Sequence, residues 1–171
     1  MPLMPSKGLF QLILFTLLLC MCRNENKISS IDHFNSGTAY ELSKNIPVPP
    51  EKLYAAFLDP KALRKIWGLT SITIDARPEG KAIAKLQIGD QNWDFTLTYK
   101  EIVPDKKLQW EVHFDRFPEK EILTTLLFNK VKDGTNIIIR QENFATPQER
   151  DENKQAWEDT LIKLDALTNW K

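Results

Sequence analysis

A chain of 171 residues, 42% hydrophobic and 27% charged, has the length of one globular domain and a composition that excludes wholesale disorder. Lys plus Arg and Asp plus Glu stand at 23 each, so no net field is available to gather nucleic acid or anionic lipid. Both cysteines, Cys20 and Cys22, fall in an N-terminal apolar stretch, which leaves the rest of the chain without a disulfide, a thiol nucleophile or a cysteine metal site.

Leu9 to Met21 is almost unbroken apolar sequence behind a start whose only charged side chain is Lys7. It is shorter than the ~20 apolar residues of a membrane-spanning helix. A positive start before a short apolar core is the pattern of an export signal. Residues 1–22 are therefore expected to be a signal or a membrane or lipid anchor. Three readings stay open. One is an exported lipoprotein anchored through Cys22 or Cys20, with a loose recognition box because Met21 and Leu19 precede them. Another is an uncleaved anchor or ordinary signal, although no A-x-A site follows. The third is a cytoplasmic protein whose true first residue is Met21. Residues 23–37 are polar and aperiodic, as a tether would be, and the domain is expected over 38–171.

A strand is predicted at about 39–47, with Tyr40, Leu42 and Ile46 on one side and Glu41, Ser43 and Asn45 on the other. Pro47, Pro49 and Pro50 stop it and prepare a helix carrying Leu53, Tyr54, Phe57 and Leu58 at helical spacing. Asp59–Pro60 reads as an N-cap and first turn of a second short helix, with Leu63, Ile66 and Trp67 on one face and Gly68 as its stop.

From residue 69 the period changes to two. Ile72 and Ile74 alternate with Thr73 and Asp75, while Ile83, Lys85, Leu86 and Ile88 make a strand whose facing the pattern leaves open. Trp93, Phe95, Leu97 and Tyr99 alternate with polar residues, as do Leu108, Trp110, Val112 and Phe114. Two more runs cover about 121–132 and 135–144. Turns are expected at Glu79–Gly80, Gly89–Asp90, Pro104–Asp105, Phe117–Pro118 and Asp133–Gly134. Short turns between consecutive strands imply an antiparallel meander. Thr146–Pro147–Gln148–Glu149 is a capping box that opens a long helix to about Asn169, with Trp157, Leu161 and Leu164 on one face and Thr160 and Leu167 at its edge. The fold class is α+β: a strand, two short helices, six strands and a long C-terminal helix packed on the curved sheet.

No phosphate-binding glycine loop, metal-ligand spacing or nucleophile motif is present, so no catalytic residue, metal or cofactor is assigned. His113 falls between inward Val112 and Phe114 and should face solvent, and His33 lies in the tether. Asp94, Glu111 and Asp115 take outer-face positions by parity. Arg140 and Glu142 read as a solvated strand end that could reach a cavity mouth, and Glu149 to Lys154 as the solvated first turns of a helix.

The segments IPVPPEKLYAAFLDPKALRKIWG at 46–68, FTLTYKEIVPDKKLQWEV at 95–112 and GTNIIIRQENFATPQERDENKQAWEDTLIKLDAL at 134–167 resemble the helix-grip, START-like (SRPBCC) superfamily. Within it they look most like the family of homologues of the heat-shock-protein-90 ATPase activator. Ile66 stands where that family often has a second tryptophan before the glycine, and the glycine-rich strand entry is reduced to Gly80. The resemblance implies a cavity between sheet and long helix. It also implies a small apolar ligand or a chaperone partner, and, as in some cyclases of this fold, an enzyme using the same cavity. Phe57, Trp67, Trp93, Phe95, Trp110, Phe114 and Trp157 are the candidates to line the cavity, or, on the simpler reading, to fill the core.

Overall fold

Residues 35–166 are described by the structure, a computed structural model. The expected signal, the lipidation candidates Cys20 and Cys22, the tether before residue 35, and residues 167–169 of the long helix lie outside the described residues. A two-residue strand, β1 (Asn35–Ser36), falls inside the segment read as tether and pairs with the start of β2 (Ala39–Ile46).

In β2 the residues Tyr40, Leu42 and Ile46 are buried on the face that looks into the core. Helix α1 (Pro50–Ala56) follows, then helix α2 (Pro60–Trp67). The start of α2 is fixed by the Asp59 carboxylate, which accepts the Lys61 N–H at 2.9 Å. Its end is fixed by Gly68, at φ 68°, in the left-handed region that a side chain disfavours. The two helices carry the chain to the far edge of the sheet. From there β3 (Ser71–Ile74), β4 (Lys81–Ile88), β5 (Gln91–Val103), β6 (Lys107–Phe114), β7 (Phe117–Val131) and β8 (Gly134–Glu142) return as a meander.

The eight-stranded sheet is antiparallel throughout, in the order β1-β2-β8-β7-β6-β5-β4-β3. β8 thus lies between its hairpin partner β7 and the distant β2, with Tyr40 opposite Gln141. Helix α3 (Pro147–Ala166), 20 residues and about 30 Å at 1.5 Å per residue, packs on β2 and α2. The expected α+β architecture holds, with β1 as an addition.

The structure decides the facing left open in one strand and moves two of the expected turns. β4 turns Ala82 and Ala84 inward, both fully buried, and leaves Ile83 50% exposed, so the bulkier residue is the outward one. The turn placed at Phe117–Pro118 is Asp115–Arg116, because Phe114 and Phe117 already pair. Pro118 then falls within the strand, at the stretch where the register between β6 and β7 shifts, a place where a strand tolerates proline. The hairpin at Asp133–Gly134 is shifted by one residue, turning on Lys132–Asp133. Gly134 opens β8 at φ 143°, and a Cβ there would strike the Ile46 carbonyl oxygen.

The capping box forms, with a variation. The Thr146 hydroxyl accepts the Glu149 N–H at 3.1 Å, while the Glu149 carboxylate accepts from Ala145 N–H, one residue before the cap. At its other end α3 is held by lysines. Lys163 Nζ donates to the Ile66 carbonyl and Lys44 Nζ to the Leu161 carbonyl, each at 3.4 Å. Cations there also suit the negative end of the helix.

Candidate functional site

The inner face of the sheet, α2 and α3 do not close on each other completely. Between them lies a cavity of ≈ 160 Å³ that is open to solvent. Trp67 comes to it from α2, Phe95 from β5, Trp110 and Phe114 from β6, and Trp157 from α3, with Leu97, Val112 and Ile122 between them. The strand residues arrive by parity: Leu97, Trp110 and Val112 are buried, whereas Phe95 and Phe114 are half-buried towards the strand ends. Trp67 joins the layers, its ring edge-on to Trp157 at 6.1 Å and 87° and to Trp110 at 6.5 Å and 64°. Phe95 and Phe114, opposite each other on β5 and β6, have ring centroids 5.7 Å apart. Ala156 on α3, itself exposed, borders the opening.

Two candidates from the sequence are placed elsewhere. Phe57 follows the last turn of α1, where it packs against Phe128 at 5.8 Å and Trp157 at 6.4 Å, so it is core behind the cavity wall. Trp93 lies two residues before Phe95 on β5, its ring tilted 33° to that of Phe117 at 6.3 Å, with the Arg116 guanidinium 4.8 Å from its ring centroid. Ile66, in the position of the second tryptophan, is fully buried.

The polar part of the wall was not singled out as a site in the sequence. Gln141, Asn153 and Thr160 border the cavity. Gln141 is 4% exposed and is held from both sides. Its Oε1 accepts the Tyr40 hydroxyl at 2.5 Å, and its Nε2 donates to Thr124 Oγ1 at 2.8 Å. Cross-strand pairing explains the alignment: Tyr40, Gln141, Thr124, Trp110 and Tyr99 are successive partners on five neighbouring strands and share the inner face. Burial, and next the charge of Glu158, raise the Tyr40 pKa above the ordinary tyrosine value, so its hydroxyl stays a donor. On the helix side, Asn153 donates to the Glu149 carbonyl and Thr160 to the Ala156 carbonyl, both at 2.9 Å. Alternation along β8 was the available signal, since Ile137 and Ile139 are buried and Gln141 continues their face.

Among the described residues bordering the cavity none is charged. Arg140 and Glu142 pair at 2.8 Å on the opposite face of β8. Glu111 lies 3.0 Å from Lys100 and 3.9 Å from His113, all three on the outer face. Lys100 donates to Glu111, which raises the pKa of that half-buried side chain. Among the described residues no cluster of three or more His, Cys, Asp or Glu side chains could hold a metal, and no helix is long and apolar enough to cross a membrane.

Comparison with known proteins agrees with this geometry. The family model described as "Activator of Hsp90 ATPase homolog 1-like protein" matches residues 47–169. No curated protein sequence matches the chain. Among solved structures, protein CV1439 from Chromobacterium violaceum is similar at 28% identity and TM-score 0.65, covering 75% of this chain and 96% of its own. Protein Ms6760 from Mycobacterium smegmatis has 15% identity and TM-score 0.68, over 84% of this chain and 98% of its own. Protein ChR145 from Cytophaga hutchinsonii has 17% identity and TM-score 0.68, over 78% and 95%. The last two likenesses bear on the fold alone.

Proposed function

The chain belongs to the family of activator of Hsp90 ATPase homolog 1-like proteins, and from that premise we propose that it is a non-catalytic binding module for a small apolar molecule, tethered at a membrane. One observation carries the ligand reading. The space between sheet and α3 is walled by Trp67, Phe95, Trp110, Phe114 and Trp157 and left unfilled by them. A concave, largely aromatic cleft that opens to solvent beside Ala156 is the kind of site that takes an apolar guest. The tether rests on the sequence of residues 1–22, with Cys22 or Cys20 as the lipidated residue. If Met21 is the first residue instead, the same module is cytoplasmic.

Native mass spectrometry of the purified protein tests the ligand reading. A retained small molecule supports it. Release of apoprotein only, together with capture of a heat-shock-protein-90 chaperone, would favour the interaction module that the family name suggests. Palmitate labelling in cells tests the anchor: the label should vanish on Cys22→Ser or Cys20→Ser, and an unlabelled wild type found in the soluble fraction refutes it.

A further inference from the structure

Resting on the binding reading, we infer that the ligand is an uncharged single-ring molecule with one hydrogen-bonding group, its ring among Trp67, Trp110 and Trp157 and its polar group towards Gln141. Size is the first argument. The cavity measures ≈ 160 Å³. An apolar protein cavity of about 150 Å³ holds one benzene ring, whereas drug-sized ligands take roughly 300–1,000 Å³. A sterol or a long acyl chain cannot be held wholly within this space and would have to protrude through its opening.

Charge is the second argument. Among the described residues no cation or anion borders the cavity. A carboxylate or ammonium carried in among these rings would give up part of its water for an uncharged lining, a cost that favours the neutral molecule. The third argument is Gln141. A carboxamide offers two N–H donors and two lone pairs on oxygen. Tyr40 occupies one lone pair and Thr124 accepts one N–H. One donor and one acceptor remain on a buried group that borders the cavity, and its orientation is fixed from both sides. A hydroxyl can meet both and a carbonyl can meet the donor. An apolar ring alone meets neither. Thr160 and Asn153 each spend a donor on their own helix, so Gln141 is the group best held to choose between ligands.

The test is titration of the full chain with phenol, p-cresol and indole, followed by tryptophan fluorescence and calorimetry. Benzoate and benzylammonium serve as charged counterparts, toluene as the counterpart without a polar group, and palmitate and cholesterol as large ligands. The inference expects saturable one-to-one binding of the neutral rings, with the charged ones at least about tenfold weaker. Toluene should be about fivefold weaker than p-cresol in the wild type and at least as tight as p-cresol in Gln141→Leu. Ala156→Phe, at an exposed helical position beside the opening, should abolish binding while leaving the unfolding temperature in place. If Gln141→Leu does not fold, the toluene and p-cresol comparison in the wild type with the Ala156→Phe control still decides. Equal binding of benzoate, or of toluene in the wild type, overturns the inference. Tight binding of palmitate or cholesterol without single rings overturns it while sparing the binding reading. No binding of any probe, with no retained molecule, overturns both.

Discussion

The Tyr40 hydroxyl donates to Gln141 Oε1 at 2.5 Å, joining residues 101 positions apart across the β2–β8 seam. Both are buried and Gln141 passes the chain on to Thr124, so breaking this bond leaves a buried hydroxyl without its partner. Tyr40→Phe should cost about 1–2 kcal/mol, and Gln141→Leu more, because it orphans two buried hydroxyls. The double variant should cost less than the sum of the single ones. Denaturant unfolding of the four proteins measures this, and strict additivity would show that the hydrogen bond contributes nothing.

Gly134 is expected to be intolerant where Gly89 is not. Both have positive φ, 143° and 58°, but only at Gly134 would a Cβ meet the Ile46 carbonyl and Pro47. Gly134→Ala should cost roughly 3 kcal/mol by forcing β2 and the β7–β8 turn apart. Gly89→Ala should cost about 1 kcal/mol for the backbone conformation alone. Equal losses in thermal unfolding would remove the close approach as the cause.

Thr146→Ala removes the acceptor for the Glu149 N–H and should destabilise the protein by about 1 kcal/mol. Glu149→Ala should do the same through the Ala145 N–H. A change within about 0.2 kcal/mol of zero for both, in urea melts, would mean that the first turn of α3 is held by other contacts.

Phe57 and Trp110 separate packed core from cavity wall. Phe57 is enclosed, with Phe128 and Trp157 against its ring. Phe57→Ala should therefore cost about 3–5 kcal/mol. Trp110 packs against Trp67 and Tyr99 but borders the void, so it has fewer contacts to lose. Trp110→Ala should cost about 2–3 kcal/mol despite the larger ring. The reverse order in equilibrium unfolding would mean that the space beside Trp110 is filled.

Tyr99 makes stability fall in strong alkali. Its pKa is pushed up from 10.0 to about 12, first by burial and then by Tyr54. Between those values the unfolded chain has lost the proton that the folded chain keeps. Its contribution is complete below pH 10 and is lost as pH rises to about 12. Relative to wild type, Tyr99→Phe should flatten this decline by roughly 2–3 kcal/mol. Parallel curves for the two proteins would refute the assignment.

Much of this fold is legible in the residues because its signals are local. Strand alternation placed Leu97, Trp110 and Val112 inward, and Asp59, Gly68 and Thr146 marked helix ends through bonds within a few residues of themselves. Turn placement was less exact. Pro118 and Gly134 look like turn residues, yet both lie in strands for reasons that depend on neighbouring strands. Facing in β4 was decided by tertiary contact as well, since Ala82 and Ala84 are the residues that face the core.

The sequence by itself determined which residues point to one side of each strand and helix, because periods of 2 and 3.6 are properties of a single segment. It could not determine that β2 would lie beside β8, or that Tyr40, Gln141 and Thr124 would therefore align into one buried chain of hydrogen bonds. Nor could it separate Phe57, which fills the core, from Trp67 and Trp110, which border a space. All three are inward aromatics, and whether an inward side chain meets another atom or a void depends on how far the curved sheet stands from α3. That distance is set jointly by the whole packed interior and is written in no single segment.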